Sequence, residues 1–132
     1  MFLSLVLALA MGLAQSQTAA PSAKGTVERI KVHGKALEGN LEGDSSDRDV
    51  FVYLPPSYAR NTNQRYPVVY LLHGYGLTAE RWMTFASLAD TSDKNIAAGT
   101  MKEMILVYPD AFTKYNGSMY SAFATTGDWE AF

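Results

Sequence analysis

Two glycines one residue apart, Gly74 and Gly76, stand between His73 and Thr78 directly after an apolar run. Glycine accepts backbone angles that other residues resist, so such a loop can turn its amide N–H groups toward a ligand. It can equally be a plain joint between a strand and a helix, and the spacing alone allows both. His73 has the chemistry of a general base and also that of a side chain bracing the loop. Asp110 follows a second apolar run, Met104 to Tyr108, and Pro109. If both runs are strands of one sheet, its carboxylate reaches the same sheet edge as the glycine loop. There it suits holding a substrate hydroxyl, bracing the loop or capping a local turn. Tyr115, Tyr120 and Trp129 are fit to line an acyl or sugar site, and equally fit to pack a long loop on itself. His33 is the only other histidine and reads as a solvated strand residue. With no H-x-x-x-H pair, no nearby carboxylate cluster and no cysteine, no metal site, thiol nucleophile or disulfide is expected. Asn116-Gly117-Ser118 is formally a glycosylation sequon, but Asn-Gly is a common turn pair and is read as a turn.

The elements that must position these residues follow from the pattern. Pro67 to Leu72 is apolar or aromatic without a break, which predicts a strand covered on both faces, as in a parallel sheet. Thr78 predicts the cap of a helix whose buried stripe is Trp82, Phe85, Leu88 and Ala89. The polar stretch Asp90 to Asn95 is expected to interrupt it. A short helical piece, Ile96 to Ala98, should then end at Gly99. Met104 to Tyr108 is the next buried strand, and strand–helix–strand makes a βαβ unit. Upstream, Thr26 to His33 reads as a strand with one wet face, because Ile30 and Val32 alternate with Arg29, Lys31 and His33. Arg48 to Leu54 is apolar on both faces and should lie deeper, paired antiparallel with the first strand. Pro55-Pro56 closes it. Asp110 to Asp128 lacks any period, and loops of that length in compact domains are functional or disordered; its aromatic content argues for order. Asp128 or Thr126 is expected to cap a helix starting at Trp129.

Composition sets the outer bounds. With 48% hydrophobic and 18% charged residues the chain is globular. A net charge of −2 without any basic run excludes nucleic acid as a natural partner. Residues 1–14 are apolar except for Ser4, too short for a membrane span of about 20 residues and suited to a signal peptide. Gly12-Leu13-Ala14 offers a small-x-small cleavage site, although no Lys or Arg precedes it. Residues 15–25 read as a flexible lead-in and 26–132 as the folded part.

Tyr53-Leu54-Pro55-Pro56-Ser57-Tyr58, the Tyr70-to-Gly76 stretch and Val107-Tyr108-Pro109-Asp110, in this order, resemble the secreted Putative esterase branch of the α/β-hydrolases. That branch includes feruloyl and acetyl-type carbohydrate esterases, esterase D-like enzymes and the antigen 85 mycolyltransferases. The resemblance runs from about Arg48 to Phe132. It implies the N-terminal part of an α/β-hydrolase fold, a mostly parallel sheet with an antiparallel N-terminal strand pair. It also implies acyl transfer by an activated serine, with no cofactor, in a secreted or periplasmic protein. In that chemistry the loop after the third strand supplies a backbone donor to the oxyanion, which places the role on the N–H of Tyr75 or Gly76. His73 then fixes the loop rather than serving as the base, since the family's catalytic histidine comes late in the chain. His73, Gly74, Asp110, Tyr115, Tyr120 and Trp129 become substrate-side residues, and the substrate a small-molecule or carbohydrate ester. No G-x-S-x-G occurs in the 132 residues, so the nucleophile, acid and base are expected beyond Phe132. Transfer to a sugar hydroxyl, or a non-catalytic binding module of the same fold, are the alternatives.

Overall fold

The structure is a computed structural model that describes residues 23–132. Residues 1–14, expected to be a signal peptide, and the expected lead-in as far as residue 22 lie outside the described residues. A four-stranded sheet has the order β1-β2-β4-β3, built from β1 (Thr26–His33), β2 (Asp47–Leu54), β3 (Val68–Tyr70) and β4 (Ile105–Pro109). β1 pairs antiparallel with β2 from Thr26↔Leu54 to His33↔Asp47. β2 pairs antiparallel with β4, and β3 runs parallel to β4. Among the described residues the sheet is therefore mixed, with one parallel pairing against two antiparallel ones; the expected parallel majority is not present. Two helices, α1 (Ala79–Phe85) and α2 (Leu88–Ala97), connect β3 to β4. A two-residue hairpin, β5 (Ala122–Phe123) with β6 (Gly127–Asp128), closes the long loop.

β2 lies between β1 and β4, as its two apolar faces require, and Tyr53 is fully buried. Phe51, Tyr53, Leu106 and Tyr108 form the main core with Ala79, and Trp82, Leu88 and Ile96 of the helices pack on it. Thr78 caps α1 by accepting the Arg81 N–H at 3.2 Å. The helix does not continue to Ala89. Ser87 takes a left-handed backbone (φ 46°), which starts α2 in a new direction and leaves Phe85, expected in the buried stripe, 83% exposed. α2 then runs straight through Asp90 to Asn95. That stretch is polar because part of it makes buried hydrogen bonds. Asp93 Oδ1 accepts both the Tyr53 hydroxyl and the Gly25 N–H, each at 2.8 Å. Gly25 is thus held fast, and a Cβ there would meet the Tyr53 ring at 2.4 Å. Thr100 N–H to Asn95 C=O and Gly99 N–H to Ile96 C=O, both 3.0 Å, close α2 with Gly99 left-handed at φ 72°.

Three further expectations give way to packing. β1 is exposed along its whole length, a sheet edge rather than a half-buried strand. β3 is the opposite edge, and Val68, Tyr70 and Leu72 are 50%, 67% and 51% exposed rather than covered. No helix starts at Trp129. Asp128 Oδ1 does take the Ala131 N–H at 3.0 Å, but the chain there only bends, and Trp129 packs with Leu37 and Ala111 in a second small core.

The main core holds two tyrosines with opposite accounts. Tyr53 gives its hydroxyl to Asp93, whereas the buried Tyr108 hydroxyl has no partner among the described residues. Burial pushes the Tyr108 phenol up to about 12. Tyr108→Phe should be neutral or stabilising by up to about 1 kcal/mol, since it removes a desolvated group with no partner among the described residues. Tyr53→Phe should cost about 1–3 kcal/mol, because it strips a partner from the buried Asp93. Denaturant midpoints of the two variants check the contrast.

Candidate active site

β3 and β4 are parallel and in register from Val68↔Ile105 to Tyr70↔Val107, so the chain leaves both at one sheet edge. That places His73 to Gly76 beside Asp110 and Ala111. His73 is 4% exposed, and its Nε2 accepts the Ala111 N–H at 2.9 Å. An accepting Nε2 leaves the proton on Nδ1, which donates to the Gly74 carbonyl at 3.1 Å. Both ring nitrogens are spent on backbone. Asp110 Oδ1 lies 3.6 Å from Nε2, and a nitrogen that carries no proton has none to give it.

The carbonyls of this loop fix its amides. Every described peptide bond is trans, so each N–H points opposite to the C=O of its own peptide plane. The Gly74 carbonyl is held by His73 Nδ1 and by the Leu77 N–H at 3.2 Å. The His73 carbonyl accepts the Tyr120 hydroxyl at 3.0 Å. Two consecutive carbonyls are thereby turned onto the protein, and their peptide partners, the N–H groups of Gly74 and Tyr75, are turned away from these anchors. Among the described residues neither N–H has an acceptor. The Gly76 N–H differs, donating to the Asn116 carbonyl at 2.8 Å. Gly76 itself is left-handed, φ +78°.

Asp110 lies under the loop. Its Oδ1 accepts the Ala79 N–H at 2.9 Å, at the first turn of α1 where a carboxylate also suits the helix dipole. Its Oδ2 accepts Arg48 Nη2 at 3.1 Å. Arg48 is buried, and its Nε and Nη2 further bind the carbonyls of Asp110 and Phe112. Its guanidinium lies 5.0 Å from the Trp129 ring centroid. Asp110 and Arg48 thus join β2, α1 and the long loop after β4 in one partly buried ion pair.

The long loop is folded over the site. Thr113 Oγ1 takes the N–H groups of Tyr115 and Gly117, and Ser118 Oγ takes that of Tyr120. Asn116 (φ 71°) and Gly117 (φ 149°) make the turn that Asn-Gly announces, and a Cβ on Gly117 would press on Tyr75 at 3.4 Å. A cavity of about 300 Å³ opens between the two loops, lined by His73, Gly74, Tyr75, Ser118, Met119 and Tyr120 among others. Tyr115 does not line it; its carbonyl accepts the Tyr75 hydroxyl, and the residue is exposed. Trp129 lines a neighbouring cavity of about 310 Å³ with Tyr70, Leu72 and Tyr120. Gly76 and Asp110 line neither of these two cavities. Arg48, Thr113 and Ser118 escaped the sequence reading. A lone arginine opening an apolar strand was the one available sign, since such a residue must find a carboxylate if it is buried.

Residues 44–130, more than half of the chain, match the model of the family described as Putative esterase. A solved ferulic acid esterase is 33% identical with a TM-score of 0.59, over 67% of this chain and 31% of its own. A ferulic acid esterase from the anaerobic fungus Anaeromyces mucronatus, solved in complex with ferulic acid, is 27% identical with a TM-score of 0.55. There the similarity covers 76% of this chain and 33% of that one. The feruloyl esterase module from Clostridium thermocellum, complexed with sinapinate, has a TM-score of 0.57 over 76% of this chain and 32% of its own. At 24% identity that likeness speaks for the fold alone. The chain spans about a third of the length of these structures. With solved neighbours that are esterases of the α/β-hydrolase type and a family match over most of its length, the chain belongs to the Putative esterase family.

Proposed function

We propose that this chain forms the oxyanion side of an exported serine ester hydrolase acting on carboxylic esters, with acyl or feruloyl esters of carbohydrates as the substrate class. The observation that carries the reading is a pair of N–H groups after β3, those of Gly74 and Tyr75, that have no acceptor among the described residues while the carbonyls of the same peptide planes, His73 and Gly74, are tied back. When a nucleophile adds to an ester carbonyl, negative charge grows on its oxygen, and donors already aimed at that place need no reorganisation. The Tyr75 N–H is the donor of choice, because the Gly76 N–H is engaged by Asn116. Of the family's parts, this chain supplies the donor loop, its brace Asp110–Arg48 and an aromatic wall from Tyr120. His73 serves as a support, since the Ala111 N–H occupies the lone pair that a base would need. These 132 residues hold no G-x-S-x-G, so the reading assigns none of them the part of nucleophile. Feruloyl substrates are favoured by the ferulic acid bound to the Anaeromyces mucronatus neighbour and by an aromatic-lined cavity beside the donors. Export is favoured by the apolar residues 1–14, and among the described residues no helix is long and apolar enough to cross a membrane.

The test uses the full-length protein that carries this sequence, assayed with 4-nitrophenyl acetate and methyl ferulate. Hydrolysis should be abolished by a serine-directed phosphonate and unaffected by a chelator. Activity that survives the phosphonate and disappears with the chelator would rule out the serine mechanism.

A further inference from the structure

We propose that Tyr120 is a positioning residue for the oxyanion donors, acting through the His73–Gly74 peptide group; this rests on the ester-hydrolase reading above. Its hydroxyl donates to the His73 carbonyl at 3.0 Å, and that carbonyl shares a peptide plane with the Gly74 N–H. Holding one end of a trans peptide fixes the direction of the other. The same ring stands edge-on to the His73 imidazole, centroids 5.8 Å apart, and so also bears on the group that holds the next carbonyl, that of Gly74. One side chain therefore supports both peptide planes whose N–H groups have no acceptor among the described residues.

The backbone around Tyr120 is shaped for this placement. Met119 and Tyr120 are consecutive non-glycine residues in the left-handed region, φ 58° and 52°. Two such residues in a row are costly for L-amino acids and persist only where the surroundings hold them. Here the Ser118 hydroxyl, itself buried, accepts the Tyr120 N–H at 3.2 Å and fixes the turn from beneath. Burial pushes the Tyr120 phenol up to about 12, so it stays protonated, and hence a donor, across the working range of an esterase. A residue that served only to pack the loop would need the ring alone.

Tyr120→Phe separates the two roles, because it keeps the ring and removes only the hydrogen bond. In the full-length esterase, kcat for 4-nitrophenyl acetate should fall about tenfold, short of the hundredfold or more that follows loss of an oxyanion donor. KM should stay within about twofold. Binding of an aryl trifluoromethyl ketone, which forms a tetrahedral oxyanion adduct, should weaken by the same factor as kcat, while binding of the product ferulate should not change. Unchanged kcat and unchanged ketone binding in an otherwise active enzyme overturn the role of Tyr120 and leave the ester-hydrolase reading standing. A parallel loss of ferulate binding or of the thermal midpoint overturns it too, by showing a structural or binding role. A wild-type protein inert toward every ester overturns the hydrolase reading first, and this inference with it.

Discussion

If the protein is the proposed ester hydrolase, replacing Gly76 by valine is expected to lower its turnover about a hundredfold, the scale set by losing one oxyanion donor. The cause is conformational. A Cβ at Gly76 meets nothing within 4 Å, so no clash is involved. The backbone angle, φ +78°, is one that a β-branched residue resists, at a cost on the order of 1–2 kcal/mol. The loop can escape that cost only by rotating the chain at Gly76. Rotation breaks the 2.8 Å bond from its N–H to Asn116 and drags the adjacent Tyr75 along. In the proposed site the Tyr75 N–H would then no longer point where charge develops. Gly76→Ala should lose less, since alanine enters the left-handed region more readily than valine. Steady-state kcat on 4-nitrophenyl acetate, with circular dichroism to confirm folding, checks the series. Undiminished turnover in correctly folded Gly76→Val would show the loop to be a connection only.

What the sequence disclosed and what it concealed divide along the range of the interactions. Local chemistry was legible. Thr78 as a cap, Gly99 after a helix end and the Asn116-Gly117 turn are each fixed by a few neighbouring backbone groups. Strand existence was legible too, because apolar runs such as Ile105 to Tyr108 need burial wherever they go. Facts set by distant partners were hidden. Asp90 to Asn95 looked like an interruption because nothing in the sequence tells that Asp93 will receive the hydroxyl of Tyr53, forty positions away. Arg48 looked like a strand boundary, whereas its meaning depends on Asp110, sixty-two positions on. The engagement of the Gly76 N–H was equally out of reach, for its acceptor lies in a loop without period. The left-handed break at Ser87 carries neither glycine nor proline to announce it. Of the two expected donors, Tyr75 or Gly76, only the Gly76 N–H has an acceptor among the described residues, a difference set by loop partners that the sequence does not display.

Residues 15–132 produced alone should be insoluble or oligomeric and should hydrolyse no ester. β3 is the reason. It is the sheet's outer strand, with β4 on one side and no partner on the other among the described residues. An edge is tolerated when it is charged, bulged or broken by proline. β3 has none of these within Val68 to Tyr70, and its side chains are 50%, 36% and 67% exposed. Leu72, Phe85 and Phe123 add exposed apolar surface at 51%, 83% and 54%. An apolar strand with open N–H and C=O groups pairs with the next copy as readily as with a strand of its own chain. If that edge is responsible, a charge on it should act as a gatekeeper. Val68→Lys or Tyr70→Lys should raise the soluble fraction of the 118 residues (132 − 14), while a lysine at the already solvated Thr62 should not. Size-exclusion chromatography of the three variants distinguishes the cases. A sharp monomer peak for the unmodified chain, with cooperative thermal unfolding, would mean that its two small cores suffice without a cover for β3. It would also favour a binding module that stands on its own.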